Sequence, residues 1–342
     1  KCPPLAICFC LACIPATLAG GNLVQSSAIA SGLEAAFGLP KLPVGLVTAL
    51  LAGLVMAGGL GRIAAVSSAL VPAMALLYLG SGALVILYHR EKIPQALGLI
   101  VSCALSPQAA AWGGVGWTVS AALRYGVSRG VFTNEAGLGT SAIAHGAAQV
   151  DHPARQGMWG IFEVFVSTLL VCTVTALAIL VSGVWDPASV NGLTGASLTA
   201  AAFGSVLGRT GEGVVALSLL LFAFSSILGW SYYGQQCLEF LASETLLPLY
   251  RAAFLLCTLA GAIWEPGFIW QLVDLCNALM ALPNLIALLF LAPQALRLLR
   301  LWQVGPVEKR KELGKRKKWK NPIDSRAKYA YHRSRNRAQA HK

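Results

Sequence analysis

The chain is a succession of long apolar runs separated by short polar or charged stretches. About 20 mostly apolar residues carry an α-helix across a bilayer. Runs of that kind fall at Leu5–Ala30, Val44–Leu60, Ile63–Tyr88, Gly157–Trp185, Gly213–Leu238 and Gly267–Leu296. Tyr250–Trp264 is shorter, but it lies between two strong runs and is read as a further span. Between Ile93 and Ala148 the apolar pattern is repeatedly interrupted by glycine. It reads as a re-entrant or surface helix over Ile93–Leu105, followed by one broken span. Leu193–Leu207 is short and rich in small residues, and is assigned to an external segment that does not span. The pattern predicts about eight spans in an all-α polytopic membrane protein.

Composition points the same way. Hydrophobic residues make up 56% of the 342 positions and charged residues 12%, with a mean hydropathy of +0.66. Soluble domains carry about 25% charged residues, so lipid must be the solvent for most of this surface. The 35 glycines, with frequent Ala and Ser, fit a bundle in which small residues let helix backbones approach closely.

The net charge of +12 is concentrated from Lys309 onward, in KRKELGKRKKWKNPIDSRAKYAYHRSRNRAQAHK. This divides the chain into a transmembrane domain at 1–298 and a basic tail at 299–342, read as disordered and cytoplasmic. Contact with anionic lipid headgroups is compatible with that reading, whereas an ordered basic surface for nucleic acid is not evident. With the tail inside, alternation puts Arg62, Asp151–Arg155 and Glu239–Arg251 inside, and His89–Lys92, Asp186 and Glu265 outside. Only His89–Lys92 opposes the positive-inside rule. The chain opens at Lys1 directly into an uncharged apolar segment too long for a signal-peptide core, which favours an N-terminal part beyond the residues given.

The strongest chemical signal is Arg124–His145, RYGVSRGVFTNEAGLGTSAIAH. Gly126, Gly130, Gly137 and Gly139 punctuate it, and Asn134 and Glu135 lie at its centre. Non-helical backbone at membrane depth survives only inside protein or beside a wet cavity. The amides and carbonyls freed at such a break can hold a cation and an amino-acid carboxylate, with Phe132 closing over a small side chain. An interfacial loop between two short helices is the alternative. Glu135 stands between cation coordination, proton exchange and a structural pair with Arg124 or Arg129. Ser225 and Ser226, in LFAFSSILGWSYYGQQ (Leu221–Gln236), offer hydroxyl oxygens suited to a hard cation. They can equally bond back to their own helix. Trp230 follows one turn later on the Ser226 face. Asn22, Gln25, Ser26 and Ser27 form a polar patch in the first run that can either join helices or meet a substrate. Of the nine cysteines, Cys8, Cys10 and Cys13 cluster without companions at metal-ligand spacing, and no metal site is read there. No nucleotide-binding loop and no HExxH, GxSxG or kinase pattern occurs, which argues against a pump or an enzyme.

Several of these segments resemble the alanine-or-glycine:cation symporter family. They are GGLGRIAAVSSALVPAMALLYL (Gly58–Leu79), the block from Pro107 to Ala148 that contains NEAGLGT, DHPARQG (Asp151–Gly157), VCTVTALAILVSGVW (Val171–Trp185), LFAFSSILGWSYYG (Leu221–Gly234) and NALMALPNLIALLFL (Asn277–Leu291). The likeness runs from about Leu11 to Leu291. It implies sodium-coupled symport of alanine or glycine across a bacterial inner membrane, with sodium as co-substrate and no other cofactor. It also implies the leucine-transporter-type inverted-repeat bundle of the APC superfamily, here without its N-terminal helices. On that resemblance Gln25, Phe132, Thr133, Asn134 and Trp230 contact substrate. Ser225 and Ser226 take the place of the family's Ser-Thr sodium pair, the second position being serine here. The family's own broken helix with a GTGN-type motif has no counterpart in the chain. An ion channel, or an inactive fragment lacking half of the substrate site, is the alternative.

Overall fold

The computed structural model describes residues 3–105, 119–185, 193, 195–242 and 244–303. Among them every regular element is helical. Six helices are long and apolar enough to cross a membrane: Pro3–Phe37, Gly59–Tyr88, Pro153–Ser182, Gly195–Leu241, Glu244–Ile263 and Pro266–Trp302, with Lys41–Met56 as a shorter apolar helix. Leu76, Leu87, Leu249, Leu256, Leu289 and Phe290 stand exposed on them, as expected of surfaces whose solvent is lipid tails. The tail beyond Gln303 lies outside the described residues.

The chain forms two compact units. The larger, residues 1–151 and 155–291, holds all the packing described below. The described residues of the smaller are 152–154 and 292–303, the end of the last helix and a cap in which the Ala154 N–H donates to His152 Nδ1.

The first membrane helix is not uniform. It consists of α1 (Pro3–Leu18), a π-helical turn (Ala19–Leu23) and α2 (Val24–Phe37). All five residues of the π-turn are buried, Gly20 and Gly21 among them. Gly38, at φ 66°, closes α2 in the left-handed conformation, which a residue without Cβ adopts at least cost. α3 (Lys41–Met56) then returns, and α4 (Gly59–Tyr88) leaves again after a glycine turn with Gly59 at φ 68°. α5 (Ile93–Leu105) follows, as the sequence predicts, and the first part of the broken span, 106–118, falls outside the described residues.

α6 (Val119–Asn134) and α7 (Thr140–Gly146) are separated by a non-helical link. After them come α8 (Pro153–Val164), a second π-segment (Phe165–Val171) and α9 (Cys172–Ser182). α10 (Gly195–Leu241) is continuous except at Gly208, φ 59° and ψ −147°, where the 195–207 arm bends into 209–241. The segment expected to be external is therefore helical and joined directly to the span after it. α11 (Leu247–Ile263) and α12 (Pro266–Gln303) complete the order.

Polar side chains knit these helices where small residues let them meet. Asn22 Nδ2 donates to the Phe254 carbonyl, Thr258 Oγ1 donates to Asn22 Oδ1 at 2.8 Å, and Ser26 donates to the Thr258 carbonyl. Asn22 and Ser26 thus join α11 to the first helix, and the buried amide is satisfied at both ends. Gly261 lies so close to the Leu23 backbone that a Cβ there would sit 2.5 Å from its carbonyl oxygen. On the far side Tyr78 of α4 bonds Thr175 of α9 at 2.6 Å, stacks on Phe203 at 5.4 Å and meets Phe222 edge-on.

Candidate functional site

The link between α6 and α7 is the irregular centre of the bundle. Glu135 (φ 53°), Gly137 (φ 78°) and Gly139 (φ 92°) turn the chain through left-handed conformations. Such a conformation strains a residue with a side chain, and Glu135 adopts it nonetheless. Local bonds hold it there. Asn134 Oδ1 accepts the Ala136 N–H at 3.0 Å, the Leu138 N–H donates to the Glu135 carbonyl, and Thr140 Oγ1 donates to Glu135 Oε2 at 2.7 Å. Leu138 is buried in the core, and Asn284 of α12 donates to the Gly137 carbonyl at 2.8 Å. A side chain at Gly139 would collide with Phe9 and with Asn284.

The break is narrower than the glycine pattern implies. Gly126 and Gly130 lie within the regular α6 helix, with open space where a Cβ would point. Helical glycine without a positive φ costs about 1 kcal/mol, a penalty that packing elsewhere can offset. Only Gly137 and Gly139 are conformationally required. The pairing of Glu135 with Arg129 is also corrected, because Arg129 binds Asp274 of α12 at 2.9 Å and Glu135 takes Thr140 instead. The side chain of Arg124 lies outside the described residues.

Two aromatic side chains meet the π-turn of the first helix. A Cβ on Gly20 would lie 3.2 Å from the Phe132 ring, and one on Gly21 would overlap Trp230. Both rings belong to one apolar cluster with Ala19, Leu23, Leu138 and Val273. Phe132 also meets Trp270 of α12 edge-on at 5.4 Å, and Trp230 tilts against Tyr233 at 5.7 Å.

Two cavities are lined by residues of this region. One, about 530 Å³, is lined by Val24, Ser27, Ser31, Ser197, Ile269 and Trp270 among others. The other, about 490 Å³, is lined by Thr133, Asn134, Glu135, Ser141, His145 and Glu163 among others. In the second, His145 Nε2 faces Glu163 at 3.4 Å, while its Nδ1 meets the Gln156 amide at 2.8 Å. Trp270 borders the first cavity, and Thr133, the residue after Phe132, borders the second.

The remaining candidates are less closely gathered. Thr133 Oγ1 bonds the Arg129 carbonyl at 2.9 Å. Gln25 is half-buried and makes no hydrogen bond among the described residues. Ser225 donates to the Phe222 carbonyl at 2.8 Å, leaving its lone pairs free, and Ser226 is half-buried without a bond. Neither serine lines either cavity. The π-turn, Trp270, Asn284, the Arg129–Asp274 pair and the His145–Glu163 pair were not singled out from the sequence. The adjacent Gly20 and Gly21 before Asn22, inside an apolar run, were the available sign of the first.

Comparison with known proteins places this geometry in context. A family model described as the sodium:alanine symporter family matches residues 1–318, past the end of the likeness read from motifs. An uncharacterized transporter of Haemophilus influenzae is 42% identical over 270 residues, covering 79% of this chain and 59% of its own. The sodium/alanine symporter AgcS of Methanococcus maripaludis is 39% identical over 272 residues, 80% of this chain and 59% of its own. The probable sodium/glutamine symporter GlnT of Bacillus subtilis is 38% identical over 272 residues, 79% of this chain and 55% of its own. The chain therefore spans between 55% and 59% of the length of these curated relatives.

Proposed function

The chain belongs to the sodium:alanine symporter family, and from that premise we propose that it forms the larger part of a carrier coupling sodium entry to uptake of a small neutral amino acid, alanine or glycine. The family is one of transporters, not of enzymes, and the apolar helices make this a multi-pass membrane protein.

One observation supports the site above all others: a helical segment interrupted at Glu135–Gly139, with Phe132 packed against Trp270 just before it and a cavity lined by Thr133, Asn134 and Glu135 at the break. Interrupted helices leave backbone dipoles free to meet both charges of an amino acid and its cation. In this reading Phe132, Thr133, Asn134 and Trp230 surround the substrate, and Gln25 reaches it with its free amide. Ser225 and Ser226 supply hydroxyl oxygens to sodium, and Glu135 stabilises the break or a passing cation. A further share of the site belongs to a GTGN-type broken helix, a motif that the chain's sequence does not contain.

The mechanism is alternating access within a leucine-transporter-type inverted-repeat bundle. The cavity at Ser27 and Trp270 faces outward, and the one at Glu135 and His145 faces the cytoplasm, as the basic tail's preference for the inner leaflet of a bacterial inner membrane requires. Coupling arises when sodium and substrate each favour the same conformations. Relatives are named for both alanine and glutamine, so substrate choice is tested by competition. The experiment is radiolabelled alanine uptake into proteoliposomes holding the full-length protein, with unlabelled alanine, glycine or glutamine as competitor. Uptake is expected to saturate with alanine and to collapse when choline replaces sodium. Equal uptake in both salts would reject symport, and flux that never saturates would point to a channel.

A further inference from the structure

Two glycines draw α3 against α11. A Cβ on Gly45 would sit 2.6 Å from the Ala262 Cβ, and one on Gly53 would sit 3.1 Å from Leu255. At about 100° per residue, Val47 and Leu51 fall on the opposite side of α3, where they are 56% and 48% exposed. Together with Val66 and Leu70 of α4 and Leu220 and Phe224 of α10 they line a groove of about 550 Å³. Three helices thus each contribute an apolar pair one turn apart. Among the lining side chains only Thr48 carries a polar atom, and its hydroxyl is turned back onto the Val44 carbonyl at 2.8 Å. Pro40 and Pro43, which also border the groove, have no N–H to donate. The walls therefore offer apolar contact and nothing else, unlike the two cavities described above, which carry serines or charged groups.

We propose that this groove holds one acyl chain of phosphatidylethanolamine, with the lipid's headgroup on the Glu34–Lys41 pair. Charge and length both point to that occupant. Leu33 and Pro40 line the groove, and the residue after each is charged: Glu34 and Lys41, whose side chains pair at 3.2 Å. An ion pair at the surface is weak and exchanges partners at little cost. A phosphoethanolamine headgroup presents the matching set, a phosphate for the Lys41 ammonium and an ammonium for the Glu34 carboxylate. Phosphatidylglycerol offers Glu34 no countercharge. Leu51 lies ten residues beyond Lys41, about 15 Å along the helix axis, which is half of a hydrocarbon core about 30 Å thick. The groove thus descends from a charged rim by the depth of one leaflet, the reach of one lipid chain. A helix of a second protein copy would cross both leaflets and would bring no charges for the rim. Such a lipid is held whatever solute the protein carries.

The test uses proteoliposomes of the full-length protein in mixed phosphatidylethanolamine and phosphatidylglycerol. A trace of phosphatidylethanolamine carries a photoactivatable diazirine midway along one acyl chain, and mass spectrometry maps where it inserts after illumination. Leu289 and Phe290, which stand 78% and 80% exposed on α12, report ordinary contact with the bilayer. Insertion at Leu51, Leu220 and Phe224 is expected to exceed theirs about fivefold, as for a chain held by mass action and not merely passing. Val47→Trp fills the groove and is expected to bring insertion at Leu220 and Phe224 down to the level of Leu289; Leu51→Trp serves should that variant fail to reach the membrane. The same diazirine on phosphatidylglycerol is expected to label the groove several-fold less, and Glu34→Gln is expected to erase that difference. Insertion no stronger at the groove than at Leu289 and Phe290 would overturn the site, and insertion weaker than theirs would mean that protein fills it. Equal labelling by the two lipids in the parent would overturn the headgroup assignment. Labelling needs no transport, so a protein that takes up no alanine in sodium would fail the functional reading and still report on the groove.

Discussion

Gly21 provides the most direct test of how the aromatic centre is packed. A methyl group there would overlap the Cβ, Cγ and Cδ2 atoms of Trp230. Cβ is fixed to the backbone, so rotating the indole does not clear it. Either the π-turn or α10 must move. Overpacking of a filled core costs about 1–3 kcal/mol, while alanine replacing glycine in a helix returns up to about 1 kcal/mol. The net expectation for Gly21→Ala is a loss of about 1–2 kcal/mol. Gly229, one residue from Trp230 on the same helix, has nothing within 4 Å of its would-be Cβ. Gly229→Ala should therefore be neutral or stabilising.

The assay is the fraction of protein that stays monodisperse in detergent after heating, measured for both variants and repeated in a Trp230→Ala background. Removing the indole takes away two of the three clashing atoms, so the penalty of Gly21→Ala should shrink by about 1 kcal/mol there, a coupling typical of residues in contact. If Gly21→Ala survives heating as well as Gly229→Ala, or loses the same amount with and without the indole, the packing argument fails.

Asn284→Ala should loosen the break itself. It deprives the Gly137 carbonyl of its partner at a cost of about 1–2 kcal/mol, and faster hydrogen exchange at Ala136–Thr140 than in the parent checks it. Ser225→Ala and Ser226→Ala should separate the two hydroxyls. If either oxygen binds sodium, its removal raises the sodium concentration needed for half-maximal alanine uptake severalfold without changing detergent stability, and an unchanged sodium dependence in both variants removes them from the ion site. Glu163→Gln should weaken the hold of His145 on α8 and speed labelling of a thiol introduced by Ser141→Cys from the cytoplasmic side, which a parent-like rate would contradict.

The helices were legible because crossing a bilayer demands apolar length, and apolar length is written locally. The break was legible for the same reason: in NEAGLGT, a carboxylate, an amide and two glycines interrupt a run that lipid would otherwise require to be uniform. Its extent was not, since Gly126 and Gly130 look identical to Gly137 and Gly139 in sequence, and only φ distinguishes them. The π-turn escaped because it shifts the hydrogen-bond register of Ala19–Leu23 without altering the apolar pattern. Arg129 offered two carboxylates, Glu135 nearby and Asp274 far along the chain, and proximity in sequence favoured the wrong one. Which of them it meets depends on how α6 lies against α12, and no local rule encodes that.

The bonds around the break divide into three kinds with different consequences. Those of Asn134, Thr140 and the Glu135 carbonyl lie within the link, so they keep its shape wherever its flanking helices go. Those of Arg129 to Asp274 and of His145 to Glu163 reach outward, one from the α6 half to α12 and the other from the α7 half to α8. Asn284 adds a third kind, fastening the Gly137 carbonyl of the link itself to α12. Freeing the α6 side from α12 therefore takes loss of both the Arg129–Asp274 pair and the Asn284 bond, whereas the α7 side is held to α8 by His145 and Glu163.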